Sequence, residues 1–218
     1  MSGQGGLATP FAVTHIAPEA DSWAELLTAG LAFDCHGLMP GRFLAPEPNA
    51  ALLGLAEAPS GEVIGLQPAP HLAEGGGLLP VVRALAGLGA QLCQLPGVQG
   101  VYWRPAHCWM ASKYFTGVIA EWLKGGPFPG LGLTSLRHAG DGAMVSVGLD
   151  YLIGQELFFP ANRKLAPAAL ARIAVRLVND LVTSGPLLRD AEWTGPEGEL
   201  VAVEPVGSGN ELRVTVTA

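Results

Sequence analysis

From Phe11 to Ala17 apolar and polar residues alternate with the period of two that sends neighbouring side chains to opposite faces of a strand. Ser22-Trp23-Ala24-Glu25 then has the spacing of a capping box, and Trp23, Leu26, Leu27 and Leu31 follow near one helical face, so an opening β-α unit is expected. Phe33 to Asn49 is less regular, with Pro40, Pro46 and Pro48 marking a loop around a short strand. Ala51–Glu57 and Glu62–Leu66 flank Pro59-Ser60-Gly61, the pattern of a hairpin.

Beyond residue 78 the period lengthens. Leu78, Val82, Leu85, Gly89 and Leu92 form a helical stripe that ends before Pro96-Gly97, and Val98 to Trp103 reads as a strand. Ser112 stands where it can cap a helix with Phe115, Val118, Ile119, Trp122 and Leu123 on its apolar face, stopped by Gly125-Gly126-Pro127. Leu131–Leu136 and Met144–Leu149 flank Ala139-Gly140-Asp141-Gly142 as a second hairpin, and Gln155–Phe159 continues as strand. The strongest helical pattern runs from Pro167 to Gly185 with Leu170, Ile173, Ala174, Leu177, Val178 and Leu181 on its buried stripe. Ala191–Thr194, Leu200–Glu204 and Glu211–Thr217 close the chain as strands. Hairpins interleaved with helices imply an α+β fold, an antiparallel or mixed sheet with about four helices packed on it.

The chain has 218 residues, enough for one domain over 11–218 or two closely packed halves, behind a flexible N-terminal tail at 1–10. Its first residues have neither a basic start nor an apolar run, so no secretory signal is expected. Three irregularly spaced cysteines do not make a disulfide framework, which suits a reducing cytoplasm. The uncharged stretch Ala84–Trp103 is interrupted by Gln91, Gln94, Gln99 and Pro96-Gly97, so a buried helix, turn and strand are expected there in place of a membrane span. A net charge of −7 with twelve scattered basic residues gives no footprint for nucleic acid. Charged residues are 14% of the chain against roughly 25% in an average soluble domain, so apolar surface is expected to be covered by a second copy or a protein partner.

Two stretches resemble a known family. The helix 78–94 followed by Gly100-Val101-Tyr102-Trp103, and Gly148-Leu149-Asp150-Tyr151-Leu152-Ile153-Gly154-Gln155-Glu156-Leu157 with a later Ser184-Gly185-Pro186-Leu187-Leu188-Arg189-Asp190, are similar to the bacterial family called domain of unknown function 4261. The similarity covers roughly residues 78–218. Ser146-Val147 stands where the family usually has threonines, and Ala191-Glu192-Trp193 where it has a fuller glycine-rich turn. The resemblance implies an α+β fold in a bacterial cytoplasmic protein and brings no activity or catalytic residues with it.

Candidate chemistry is sparse. Cys35-His36 and His107-Cys108 are mirrored pairs with Asp34 beside the first, but adjacent strand residues face opposite ways and no ligand spacing is matched, so no metal and no cofactor is expected. Gly75-Gly76-Gly77 precedes a helix N-terminus, yet Glu74 beside it would repel an anion. No nucleophile elbow, zinc-protease motif or phosphate loop is present, so no catalytic residue is assigned. Trp103 and Trp109 flank Arg104-Pro105-Ala106-His107, where aromatics and Arg104 would serve as surface anchors, with packing under a loop as the alternative. Glu156 stands beside Gly154 on one strand face, either as a ligand-facing acid or as a surface carboxylate paired with Arg163 or Lys164. The sequence therefore points to a non-enzymatic interaction protein, an adaptor or immunity-type module acting as a homodimer. The alternative is a small-molecule-binding or hydrolytic enzyme drawing on Asp34, His36, His107 and Glu156.

Overall fold

The computed structural model describes residues 11–18, 23–40, 47–162 and 165–217. The expected tail 1–10 and Ser22 of the capping box lie outside them. The class is α+β. The chain divides into two compact units, the first Met1–Tyr102 with Trp109–Gly126, the second Trp103–Cys108 with Pro127–Ala218.

In the first unit, β1 (Ala12–Ile16), β2 (Trp23–Thr28), β3 (Leu31–His36) and, after β4 (Ala51–Leu53), β5 (Gly65–Pro68) build a four-stranded antiparallel sheet in the order β1-β2-β3-β5. The helix expected after Ser22 is therefore a strand. Ala24, Leu26 and Thr28 are its buried positions, a period of two hidden by the spacing of Trp23, Leu26 and Leu27. Ala29 and Gly30 both have positive φ, 51° and 77°, which is the mirror-image two-residue turn that matches strand twist. Alanine rarely accepts that geometry, so the sequence hides the turn.

The expected 51–66 hairpin is also corrected. β5 pairs with β3, Phe33 opposite Pro68, whereas β4 joins β7 (Cys108–Ala111) and β6 (Gly100–Trp103) in a three-stranded sheet of order β4-β7-β6. Helices α1 (Leu79–Leu92) and α2 (Ser112–Leu123) approach closely where α1 carries Gly87 and Gly89: a Cβ on either would lie 3.3–3.4 Å from Leu123 or Phe115. Arg83 reinforces the pair, donating to the Leu123 carbonyl at 3.2 Å while its guanidinium lies 4.7 Å over the Trp122 ring. Ser112 does not cap α2; its hydroxyl donates to the Val98 carbonyl at 2.7 Å.

The second unit holds a six-stranded mixed sheet. After the kinked turn α3 (Gly130–Leu133) come β8 (Ser135–His138), β9 (Met144–Val147), the single turn α4 (Asp150–Ile153), β10 (Glu156–Phe159), the long helix α5 (Pro167–Ser184), and β11 (Ala191–Thr194), β12 (Leu200–Val206) and β13 (Glu211–Thr217). Their order is β11-β12-β13-β10-β9-β8, and β10 and β13 are parallel. α5 starts at its proline and ends at Gly185, whose φ is 88°, as its sequence pattern predicts. Its stripe Leu170, Ile173, Ala174, Leu177, Val178 and Leu181 is buried, as are Leu157, Phe159, Val201, Val203, Leu212 and Val214 of the strands. No helix among the described residues is long and apolar enough to cross a membrane.

Candidate functional site

The Gly148–Leu157 stretch folds around its own acid. Glu156 opens β10, and its Oε1 accepts the backbone N–H groups of Gly148 at 2.6 Å, Leu149 at 3.0 Å and Asp150 at 3.2 Å. Its Oε2 accepts the Ser146 hydroxyl, whose oxygen in turn accepts the Leu157 N–H at 2.7 Å. These three amides lead into α4 and include N–H groups that the helix itself cannot satisfy. Glu156 is therefore the anion seated at the start of that turn, half-buried and turned toward its own backbone. Burial pushes its carboxyl above the ordinary carboxylate range; the Ser146 hydroxyl and the Asp150 amide pull it back, while the Asp150 carboxylate adds to the rise.

Glycines make the loop. Gly154, at φ 76°, ends α4 in the left-handed conformation. Gly148, at φ 89°, lies against the 103–108 turn so closely that a Cβ would sit 2.9 Å from backbone atoms of Pro105 and Ala106. Between them and β10, Gln155 is buried, donating to the carbonyls of Leu187 at 2.9 Å and Gly209 at 2.7 Å and accepting the Leu187 N–H at 2.7 Å. The segments Gly148–Leu157 and Ser184–Asp190 thus meet at Gln155 and Leu187.

The aromatic candidates are buried. Trp103 packs edge-on against Tyr151 with ring centroids 6.2 Å apart, and burial raises the Tyr151 hydroxyl above its usual range. Trp109, in the first unit, lies 5.0 Å from the Tyr102 ring. Neither tryptophan offers an exposed ring, so only Arg104 of that group stands in solvent. Its carbonyl accepts the His107 N–H at 3.1 Å, and His107 takes a positive φ of 46° to close the turn.

Asp34, His36, His107 and Glu156 fall two in each unit. Asp34 and His36 share one face of β3, with Glu25 opposite Asp34 and Trp23 opposite His36. Trp23 stacks between His15, at 5.1 Å, and His36, at 6.2 Å, and His36 Nε2 is buried without a hydrogen-bond partner. Asp34 is buried, while Glu25 accepts the Thr14 hydroxyl at 2.6 Å. Among the described residues no three His, Cys, Asp or Glu side chains gather as a metal site. Cys35 and Cys108 are buried, and burial lifts both thiols, Cys108 to about 11 despite the opposing charge of Arg137, which disfavours thiolate chemistry at neutral pH.

What the sequence missed is an uncovered strand edge. Among the described residues β1 ends the first sheet, and all five of its residues are exposed. Val13 pairs with Leu26 and Ile16 with Ala24, so each shares a face with a buried neighbour, yet Val13 is 52% and Ile16 71% exposed. α1 packs over β5 and β3 at the far side of the same sheet, away from β1. The alternation Phe11–Ala17 marks the strand but carries no sign of which edge the helix reaches. The chain matches no family model, no curated protein and no solved structure.

Proposed function

We propose that this chain is a non-enzymatic protein-interaction module of the bacterial cytoplasm, of adaptor or immunity type, and that it acts as a homodimer joined through β1. The observation that carries the reading is Val13 and Ile16, apolar side chains on the core side of a sheet whose helix does not reach them. An open strand edge offers a row of backbone donors and acceptors to another strand. Proteins that avoid such pairing place lysine or proline there, and Ala12-Val13-Thr14-His15-Ile16 has neither. A second copy is the occupant because the strip bears no acid or lysine that a foreign strand would have to match, and because a two-fold places like apolar side chains together. The resemblance to domain of unknown function 4261 supports the bacterial setting. The net charge of −7 argues against nucleic acid as partner.

The purified chain is expected to be a dimer by light scattering at micromolar concentration. Val13→Lys with Ile16→Lys should give a folded monomer, since exposed substitutions change stability by under about 0.5 kcal/mol. A wild-type monomer, or a dimer that the double variant leaves intact, would remove β1 as the interface.

The second reading, a small-molecule-binding or hydrolytic enzyme, is favoured by one feature, the row Trp23, Glu25, Asp34 and His36 on a single sheet face. Loss of a ligand or activity in Asp34→Asn, with dimerisation unchanged, would select that reading over the first.

A further inference from the structure

Arg137 and Ser135 lie two residues apart on β8 and so share a sheet face. The Ser135 hydroxyl donates to the Ala106 carbonyl at 2.8 Å, and Cys108, two residues beyond Ala106, feels the charge of Arg137. The segment Ala106–Cys108 therefore runs along Ser135–Arg137. Within this contact the Arg137 Nε and Nη2 atoms are buried, and neither donates to any acceptor. No ion pair of Arg137 exists among the described residues. Nε–H and one Nη2–H project side by side from the same edge of the planar guanidinium, the fork that takes both oxygens of a carboxylate. A third buried donor without an acceptor, Trp103 Nε1, lies at the other end of the same four-residue turn.

Buried donors are satisfied in nearly all native proteins, and Arg137, half-buried as a residue, has the Nε–Nη2 edge of its guanidinium out of water with no anion on it. We propose that Arg137, with Trp103, forms a carboxylate-binding site in the second unit. The charge balance selects the ligand class: one guanidinium neutralises one carboxylate, whereas a phosphate dianion would leave excess charge beside buried donors. Arg104 does not alter this count, because it stands in solvent. The site is separate from β1 and stands or falls without the dimer.

The test is a titration of the isotope-labelled full chain with benzoate and, at equal ionic strength, with inorganic phosphate. The readout is the indole N–H resonance of Trp103, identified as the one missing from Trp103→Phe. Benzoate should shift it saturably with a Kd near or below about 1 mM. Arg137→Met should abolish the shift and Arg137→Lys, which keeps the charge but loses the fork, should weaken binding at least about tenfold. Without ligand, Arg137→Met should unfold at the same denaturant concentration as wild type or a higher one, because two buried donors without acceptors have been removed. A resonance unmoved by benzoate, a shift that survives in Arg137→Met, tighter binding of phosphate, or a less stable Arg137→Met would each overturn the proposal, the last by showing that the guanidinium is already satisfied, for instance by internal water.

Discussion

Gly148→Ala is expected to destabilise the second unit by about 4 kcal/mol, a large part of the 5–15 kcal/mol typical of a domain. Two costs add. A side chain at φ 89° is strained by about 1–3 kcal/mol. The new Cβ would also meet the backbone of Pro105 and Ala106 at 2.9 Å, and overpacking against atoms that cannot rotate away costs about 1–3 kcal/mol more. Gly154 separates the two contributions, because its φ of 76° is similar but nothing lies within 4 Å of its Cβ position. Gly154→Ala should therefore cost only the backbone share, about 1–2 kcal/mol. Denaturant unfolding of both variants checks this. Equal losses would mean that the turn 103–108 moves aside freely and does not hold the loop in place.

The second unit is legible because its elements are local: the β8–β9 hairpin closes over five residues, although its first strand is Ser135–His138 and the expected start at Leu131 falls in the turn α3, α5 is bracketed by Pro167 and Gly185, and β12 returns to β13 through Gly207–Asn210. The first unit is legible in α1, β6 and α2 but not in its opening sheet, since Trp23–Thr28 satisfies a helical and a strand period together, and the decision is made by pairing with Leu31–His36 across a turn that uses Ala29 against its preference. β4 is likewise assigned by β7, more than fifty residues away in the chain. Tertiary pairing settled what local propensity left open.

The site residues follow the same division. Trp103 and Trp109 beside a polar turn suggest surface anchors, but the turn's flanks are covered and only Arg104 remains outside. Arg137 has no signature, because a missing acceptor is a property of three dimensions. Glu156 is partly legible. Its flanking Gly148 and Gly154 signal tight turns, while its partners are backbone amides, which every residue but proline carries. The suggested partners Arg163 and Lys164 lie outside the described residues, and the carboxylate oxygens are occupied by Ser146 and the loop amides.

Glu156→Ala is accordingly expected to cost about 3–5 kcal/mol, the range for breaking a buried charged network by removing one partner. It would strand the amides of Gly148, Leu149 and Asp150 and the Ser146 hydroxyl at once. Glu156→Gln should cost less, about 1–2 kcal/mol, because one oxygen still accepts the amides while the other becomes a donor facing Ser146. The pH dependence has a defined sign. With its folded pKa above the ordinary 4.5, the native state holds the proton more tightly than the unfolded chain, so this group favours the fold most at low pH. That contribution is lost as pH rises through the folded value. Glutamine does not titrate, so the stability gap between wild type and Glu156→Gln should narrow as pH is raised from below 4.5 to neutrality. Urea unfolding of the two proteins at both ends of that range measures the gap directly. A gap that widens with pH would mean that the amides hold the carboxylate below its ordinary range, with hydrogen bonding stronger than burial; a Glu156→Ala variant as stable as wild type would remove Glu156 from the fold and return it to the exposed, ligand-facing role.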